Sequence, residues 1–248
     1  MRLQKEREQR REEHIEKMKQ LLLWTKIIKR PKADLGDIEI YKLHSQLLVA
    51  CANKILEKHG KQFVVDDNNK DVLRFLLYYF NDSPLYSTVF PKRNYTLDKN
   101  ILLIGGVGVG KTLLMDAFAL YLKKTENEHE FLVSSQTQML NHFKQHNNID
   151  RYTFNTAESR FFDGNPCNIC LNDIGLKTQK YYGNDTELII EEFLFSRYEI
   201  WEQQGKSTHL TTNLDKKDMQ QLFDDEHGRL KDRLKMYNVI PMEGNSRR

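Results

Sequence analysis

The residues with the clearest chemical meaning form the glycine-rich run Gly105–Thr112, which reads GGVGVGKT. It matches the pattern G-x-x-x-x-G-K-[ST], with Gly105, Gly110, Lys111 and Thr112 at the fixed positions. Glycines let backbone N–H groups converge on phosphate oxygens, and a helix that begins where the run ends adds its dipole. The spacing predicts a nucleotide site in which Lys111 meets the β- and γ-phosphates and Thr112 ligates Mg²⁺. The predicted nucleotide contacts are Gly105, Gly106, Val107, Gly108, Val109, Gly110, Lys111, Thr112 and Leu113.

A second polar position follows the apolar residues 169–171, where ICLNDIG ends in Asn172 and Asp173 before Gly175. The acidic strand of a nucleotide hydrolase usually offers two adjacent carboxylates, whereas this chain offers an amide and one carboxylate. Two interpretations stay open from the residues alone. The strand either belongs to a metal site that lacks one carboxylate, or it is a core strand that ends at a polar turn.

A third polar position is Asn213, which ends the β-branched run STHLTTN. An amide at the carboxyl end of a strand lies at the ligand-binding edge of a parallel sheet, where it can position an attacking water. The alternative is a strand-end cap. Within the same strand, His209 is better explained as a packed residue than as a catalyst.

Two arginines, Arg229 and Arg233, are four residues apart in GRLKDRL, so they share one face of a predicted helix. Such a pair can reach the γ-phosphate of ATP on a neighbouring subunit, as an arginine finger does. The alternative is a surface salt bridge, for instance with Asp232 or Glu226.

The elements that position these residues alternate between strands and helices. Residues 101–104 predict a buried strand before the glycine-rich run, and the residues after it predict an amphipathic helix. This alternation favours an α/β fold with a mostly parallel sheet flanked by helices. Further strands are predicted at 63–65 (or an extended segment), 131–134, 168–172 and 207–212, with helices through 72–79, 136–145 and 186–203.

The N-terminal residues 1–60 predict two helices, which we interpret as a small extension before a domain spanning 61–248. Residues 1–30 carry ten Lys or Arg side chains against five Glu. This excess indicates either a solvated helix face or an arm that contacts phosphate or an acidic partner.

Composition excludes several classes of protein. The 248 residues are 39% hydrophobic and 29% charged with a net charge of +3, as expected of a globular protein with a proper core. No apolar run approaches the ~18 residues that cross a bilayer, so we expect a cytoplasmic protein with no membrane partner. Three cysteines form no disulfide framework, and Cys167-x-x-Cys170 lacks the second pair that a zinc site needs.

Residues 141–162 mix basic and aromatic side chains, including Lys144, Arg151 and Tyr152. Aromatic side chains that stack on bases and basic side chains that pair with phosphates would suit single-stranded DNA. The aromatic residues fit a protein core equally well.

Taken in order, these motifs resemble the AAA+ ATPases of the helicase-loader clade, namely the DnaC/DnaI loaders and the related IstB-type transposition ATPases. The resemblance covers roughly residues 62–248 and rests on GGVGVGKT, CLNDIG, THLTTNL and GRLKDRL through GNSRR. It implies a P-loop AAA+ core that binds ATP and Mg²⁺, a helical N-terminal extension and no C-terminal lid domain.

The resemblance also implies roles for single residues. Asn213 would be the sensor-1 residue and Arg233 the intersubunit arginine finger, with Arg229 beside it. The sensor-2 arginine would be Arg248 or, less well matched, Arg247. The metal would be held by Thr112, Asn172 and Asp173, with Asp173 as the catalytic base.

One departure from the family pattern concerns turnover. Asn172 occupies the position of the Mg²⁺-associated Asp, and an amide adds no negative charge, so Mg²⁺ would be held less strongly. Hydrolysis would then be slow or dependent on a partner.

The resemblance implies an ATP-dependent homo-oligomer that acts on a replicative helicase at single-stranded DNA through residues 1–60. The alternatives are a transposition-regulating ATPase on double-stranded DNA with a transposase partner, and a nucleotide-gated scaffold with negligible hydrolysis. A small-molecule kinase is disfavoured, because kinases need neither a sensor asparagine nor an intersubunit arginine.

Overall fold

The computed structural model describes residues 2–25, 32–154, 166–175, 186–215, 217–219 and 229–247. The chain divides into two compact units, Met1–Ala33 and Asp34–Arg248. The first contains one helix, α1 (Arg2–Thr25), whose side chains from 8 to 19 are all exposed. The functional division at residue 60 remains a prediction.

The second unit is built on one five-stranded sheet in which every pairing is parallel, in the order β2-β3-β4-β1-β5. This confirms the predicted α/β fold. The last strand was not predicted, because the residues before it carry a helical charge pattern. The strands are β1 (Asn100–Ile104), β2 (Phe131–Ser135), β3 (Asn168–Ile174), β4 (Thr208–Thr212) and β5 (Tyr237–Pro241).

Helices cover this sheet and begin close to the predicted positions. Those of the second unit whose bounds the structure describes are α2 (Ile38–Leu56), α3 (Lys70–Phe80), α4 (Tyr86–Val89), α5 (Lys111–Lys124), α6 (Gln136–His146), α7 (Thr186–Gln204) and α8 (Arg229–Arg233). Short 3-10 turns span Glu57–His59, Asp150–Tyr152 and Leu234–Met236. Residues 63–65 form no strand and lie outside the sheet. Among the described helices, none has both the length and the apolar character that a bilayer crossing requires.

The core lies on both sides of the central strands, where Leu102, Leu171 and Leu210 have no exposed surface. His209 belongs to this core: its ring packs edge-on against Phe80 and Phe131, and its Nδ1 accepts a hydrogen bond from the Ile101 N–H at 3.1 Å. Burial lowers the pKa of His209 to about 3, so the ring is neutral at physiological pH. His209 is a packed residue, as its strand pattern predicted.

Candidate nucleotide site

The glycine-rich run forms the loop between β1 and α5, and two of its glycines are required by backbone shape. Gly110 precedes the first turn of α5 with φ at 103°, a conformation that side chains other than glycine rarely adopt. At Gly105 a Cβ atom would come within 2.2 Å of the Met242 carbonyl oxygen. The loop therefore packs closely against the backbone that follows β5, and α5 begins at Lys111 with its N-terminus facing the loop.

Lys111 lies inside this loop with only 3% of its surface exposed. Its Nζ donates hydrogen bonds to the carbonyl oxygens of Gly105 and Gly106, at 2.7 and 2.8 Å. It also donates to Asn213 Oδ1 at 2.7 Å, because β1 and β4 are neighbours in the sheet. The ammonium is thus held where the loop turns, and phosphate oxygens entering the loop would take over these acceptor positions.

Asp173 comes close to Lys111 and Asn213 because β3 contains a bulge. The pairing of β3 with β4 shifts between Leu171 and Ile174, and Asp173 sits in this bulge with φ at 57°. A bulge re-aims side chains at the end of a strand. Here the Asp173 carboxylate Oδ1 accepts a hydrogen bond from Asn213 Nδ2 at 3.4 Å. Lys111, Asn213 and Asp173 therefore form one connected polar path.

Asn172 points away from that path. It is 2% exposed, and its Oδ1 accepts hydrogen bonds from the Thr211 hydroxyl at 3.0 Å and from the Cys170 thiol at 3.7 Å. Burial raises the pKa of Cys170 well above its ordinary value, so the thiol keeps its proton. The amide oxygen of Asn172 thus ties β3 to β4, while Asp173 is the residue of this pair that lines the open space beside the glycine-rich loop.

Asp116 is a carboxylate that sequence reasoning missed. It lies on α5 four residues after Thr112, so both side chains project from the same face of the helix. Burial raises the pKa of Asp116, and the negative charge of Asp173 raises it further, whereas Lys58 lowers it. The spacing from Thr112 was visible in the sequence, but only the packing of α5 on β3 places Asp116 near Asp173.

The loop and the polar path open into a cavity of about 980 Å³, lined among others by Lys111, Thr112, Asp173 and Asn213. Its size matches that of a nucleotide site. The converging loop and the buried ammonium fit a polyphosphate, and Thr112 with Asp173 supplies the oxygen ligands that Mg²⁺ prefers. The residues present therefore fit ATP with Mg²⁺.

The C-terminal residues form one wall of this cavity through Arg247. Its backbone N–H donates to the Gly108 carbonyl oxygen at 3.0 Å, and its Nη2 lies 2.8 Å from Asp66 Oδ1. The hydrogen bond from Arg247 holds the pKa of Asp66 below its ordinary value. Arg248, the better match for the sensor-2 arginine, lies outside the described residues.

Arg233 does not line this cavity but packs against two aromatic rings of α7. Its Cζ atom lies 4.0 Å from the centroid of Phe195 and 4.4 Å from that of Tyr198. Such cation–π contacts hold a guanidinium in one orientation. The side chain of Arg229 lies outside the described residues, as do Arg160, Phe161 and Phe162 of the basic and aromatic segment.

Comparison with solved structures finds the same architecture in a primosome component from Streptococcus pyogenes serotype M3. The identity is 16%, the TM-score is 0.50, and the match covers 75% of this chain and 85% of that one. The shared fold is an α/β fold with one parallel sheet flanked by helices. The predicted fold class is thus confirmed, and at this identity the likeness establishes the fold alone.

Two other similar structures match with lower TM-scores. A DnaC helicase loader matches with 16% identity and a TM-score of 0.46, over 73% of this chain and 93% of that chain. DnaA from Aquifex aeolicus, solved with bound AMPPCP, matches with 19% identity and a TM-score of 0.44, over 74% of this chain. The chain spans only 50% of the length of that DnaA. No protein-family model and no curated protein matches the sequence.

Proposed function

We propose that the chain is an ATPase of the helicase-loader type, which binds ATP with Mg²⁺ in the cavity beside the glycine-rich loop. The observation that carries the proposal is the hydrogen-bonded path from Lys111 through Asn213 to Asp173 at the edge of that cavity. A phosphate-binding lysine, a polar amide and a carboxylate are the three groups that phosphoryl transfer to water needs in one place.

Each group has a chemical task in this proposal. The backbone N–H groups of the loop and the Lys111 ammonium bind the phosphates and offset their charge. Asn213 orients the attacking water, and Asp173 accepts its proton. Thr112 and Asp173 would hold Mg²⁺, which supplies positive charge to the phosphates when it is bound.

Turnover is slow in this proposal because the metal side of the site has little negative charge. Asn172 offers an uncharged amide, and its oxygen already accepts hydrogen bonds inside the sheet. This observation also favours a second candidate, a nucleotide-gated scaffold that assembles on ATP with negligible hydrolysis.

The partners follow from the sequence resemblance to the helicase loaders. The proposal is ATP-dependent assembly of several copies on a replicative helicase at single-stranded DNA, with residues 1–60 binding the helicase. Arg233 would complete the site of a neighbouring copy, for which it must leave the rings of Phe195 and Tyr198. A transposase partner on double-stranded DNA remains the alternative within the same clade, and a pull-down with each purified partner separates the two.

The test is steady-state ATP hydrolysis with and without single-stranded DNA. We expect slow hydrolysis by the wild type, its loss in Asp173→Asn with nucleotide binding retained, and its loss in Lys111→Ala. A mixture of Arg233→Ala and Lys111→Ala copies should regain activity, because each supplies what the other lacks. The matched control is Lys231→Ala, an exposed cation on the same short helix.

Three results discriminate between the candidates. Hydrolysis that survives Asp173→Asn unchanged would contradict the assignment of the base. An Arg233→Ala variant as active as Lys231→Ala would contradict the intersubunit site. Nucleotide-dependent assembly with no hydrolysis under any condition would favour the scaffold.

A further inference from the structure

A second cavity, of about 350 Å³, lies between β2, α6, the start of β3 and α7. It shares no lining residue with the nucleotide cavity. Its described lining contains two arginines and two histidines (Arg151, Arg197, His142 and His146) but no Asp or Glu. The remaining polar lining residues are amides, hydroxyls and a thiol, so the cavity is rich in hydrogen-bond donors and poor in negative charge.

Arg197 is the most unusual member of this lining, since it is a guanidinium with 2% exposure. Its Nε donates to the Thr208 hydroxyl at 2.7 Å, and its Nη2 donates to the carbonyl oxygens of Cys167 and Ser207. These contacts join α7 to the starts of β3 and β4. Among the described residues no carboxylate pairs with Arg197 and no acceptor meets its Nη1, so a buried positive charge is left without a counter-charge.

The other basic residues stand where a ligand can reach them. Arg151 and His146 are exposed, and the ring of His146 lies 4.4 Å from that of His142, centroid to centroid. The Tyr152 ring packs edge-on against His142 at 5.5 Å. A buried guanidinium and an exposed one thus line the same cavity. The rings of His142, His146 and Tyr152 line it too, and such rings can stack on a nucleobase.

We propose that this cavity binds the phosphate group of a nucleotide unit, supplied either by a single strand of DNA or by a free nucleotide. Guanidinium groups donate charge-assisted hydrogen bonds to phosphate oxygens, and a buried one does so with little competition from water. In Arg197 the N–H groups of Nη1 remain for this contact. The volume is that of a site for a nucleotide-sized ligand. An anion there supplies the counter-charge that the described residues do not give Arg197. Burial lowers the pKa of Arg197 to about 10, so the group is still charged at neutral pH.

The test separates this cavity from the nucleotide loop by using the Lys111→Ala background throughout. The probes are 5′-dAMP by calorimetry, deoxyadenosine as the same molecule without phosphate, and a labelled oligo-dT by fluorescence anisotropy at fixed salt. The informative variant is Arg151→Gln, with His146→Gln as a second one. The matched control is Lys123→Gln, which removes the same charge from an exposed residue of α5 that lines neither cavity.

We expect Arg151→Gln to weaken binding about tenfold, the effect of losing one charge-assisted hydrogen bond, and Lys123→Gln to weaken it much less. If Arg151→Gln weakens the binding of oligo-dT alone, the proposal is supported with the DNA strand as the phosphate source. If it weakens the binding of 5′-dAMP alone, the proposal is supported with the free nucleotide as the source. Three outcomes overturn it: neither 5′-dAMP nor oligo-dT binds, 5′-dAMP binds but no more tightly than deoxyadenosine, or Arg151→Gln and Lys123→Gln have equal effects. Because the nucleotide loop is disabled in every variant, failure here leaves the proposed ATPase site standing.

Discussion

Replacement of Asn172 by Asp restores the carboxylate that the acidic strand lacks, and the structure predicts that this destabilises the protein when no metal is bound. The side chain at 172 is 2% exposed, and the neighbouring Asp173 already raises the pKa of Asp116. A new carboxyl there experiences both burial and like charge, each of which favours its neutral form. We expect its pKa in the folded protein to rise by about two units.

The magnitude and the sign of the effect follow from proton linkage. At 1.36 kcal/mol per unit, a rise of about two units lowers the free energy of unfolding by about 2.7 kcal/mol above the folded-state pKa. Below about pH 4 both states hold the proton and the loss is absent. For a chain of this size the loss lowers the Tm by about 5–10 °C. The Asn172→Asp variant therefore loses stability relative to the wild type as the pH rises from about 4 to 7.

The assay is thermal unfolding of Asn172→Asp and wild type at acid and neutral pH, with and without millimolar Mg²⁺. Mg²⁺ should raise the Tm of the variant more than that of the wild type, since it binds the folded state and offsets the added charge. The matched control is Asn245→Asp, which places a carboxylate on an exposed residue that lines the nucleotide cavity and should show no such pH dependence. Equal stability of Asn172→Asp and wild type at neutral pH without Mg²⁺ would refute the electrostatic reasoning. An equal response to Mg²⁺ would show that residue 172 does not act on the metal.

Three further predictions concern the loop, the core and the C-terminal wall. Gly110→Ala should weaken nucleotide binding measured by calorimetry, because φ at 103° strains any side chain at the start of α5; unchanged affinity would contradict the required loop shape. His209 has a folded-state pKa of about 3, below its unfolded value, so the unfolded chain binds more protons between the two values and stability falls as the pH drops below about 6.5. Urea titrations from pH 7 to 5 give the free energy of unfolding at each pH. In His209→Gln this free energy should change with pH less steeply than in the wild type, by up to about 1.4 kcal/mol per pH unit, and an unchanged pH dependence would contradict a neutral buried ring. Arg247→Ala should lower nucleotide affinity by loosening the wall that Asp66 and Arg247 form, and an affinity equal to wild type would show that this wall does not contact the ligand.

The loop and the strand that precedes it could be predicted because their geometry is local. Glycines at fixed spacing between an apolar strand and an amphipathic helix determine the turn without help from distant residues. The meeting of Lys111 with Asn213 was also accessible, since the carboxyl ends of parallel strands share one edge of the sheet.

Other features depend on contacts between distant parts of the chain. A bulge turns Asp173 toward the cavity and Asn172 toward Thr211. This bulge is set by the register between β3 and β4, which cannot be predicted from the order of polar and apolar residues. Asp116 lies close enough to Asp173 to feel its charge only because α5 packs on β3. The aromatic contacts of Arg233 likewise arise where α8 meets α7, so a residue proposed as a free finger is found against two rings.

The central claim is that the cavity beside the glycine-rich loop binds ATP through the buried ammonium of Lys111. The most direct test is calorimetric titration of the full chain with AMPPCP and Mg²⁺, comparing the wild type with Lys111→Ala and with Lys99→Ala, a lysine that does not line the cavity. The account predicts one binding site per chain in the wild type and in Lys99→Ala, and an affinity at least about tenfold lower in Lys111→Ala, the loss of one buried charged contact. Binding that is equal in all three proteins, or undetectable in the wild type, would contradict it.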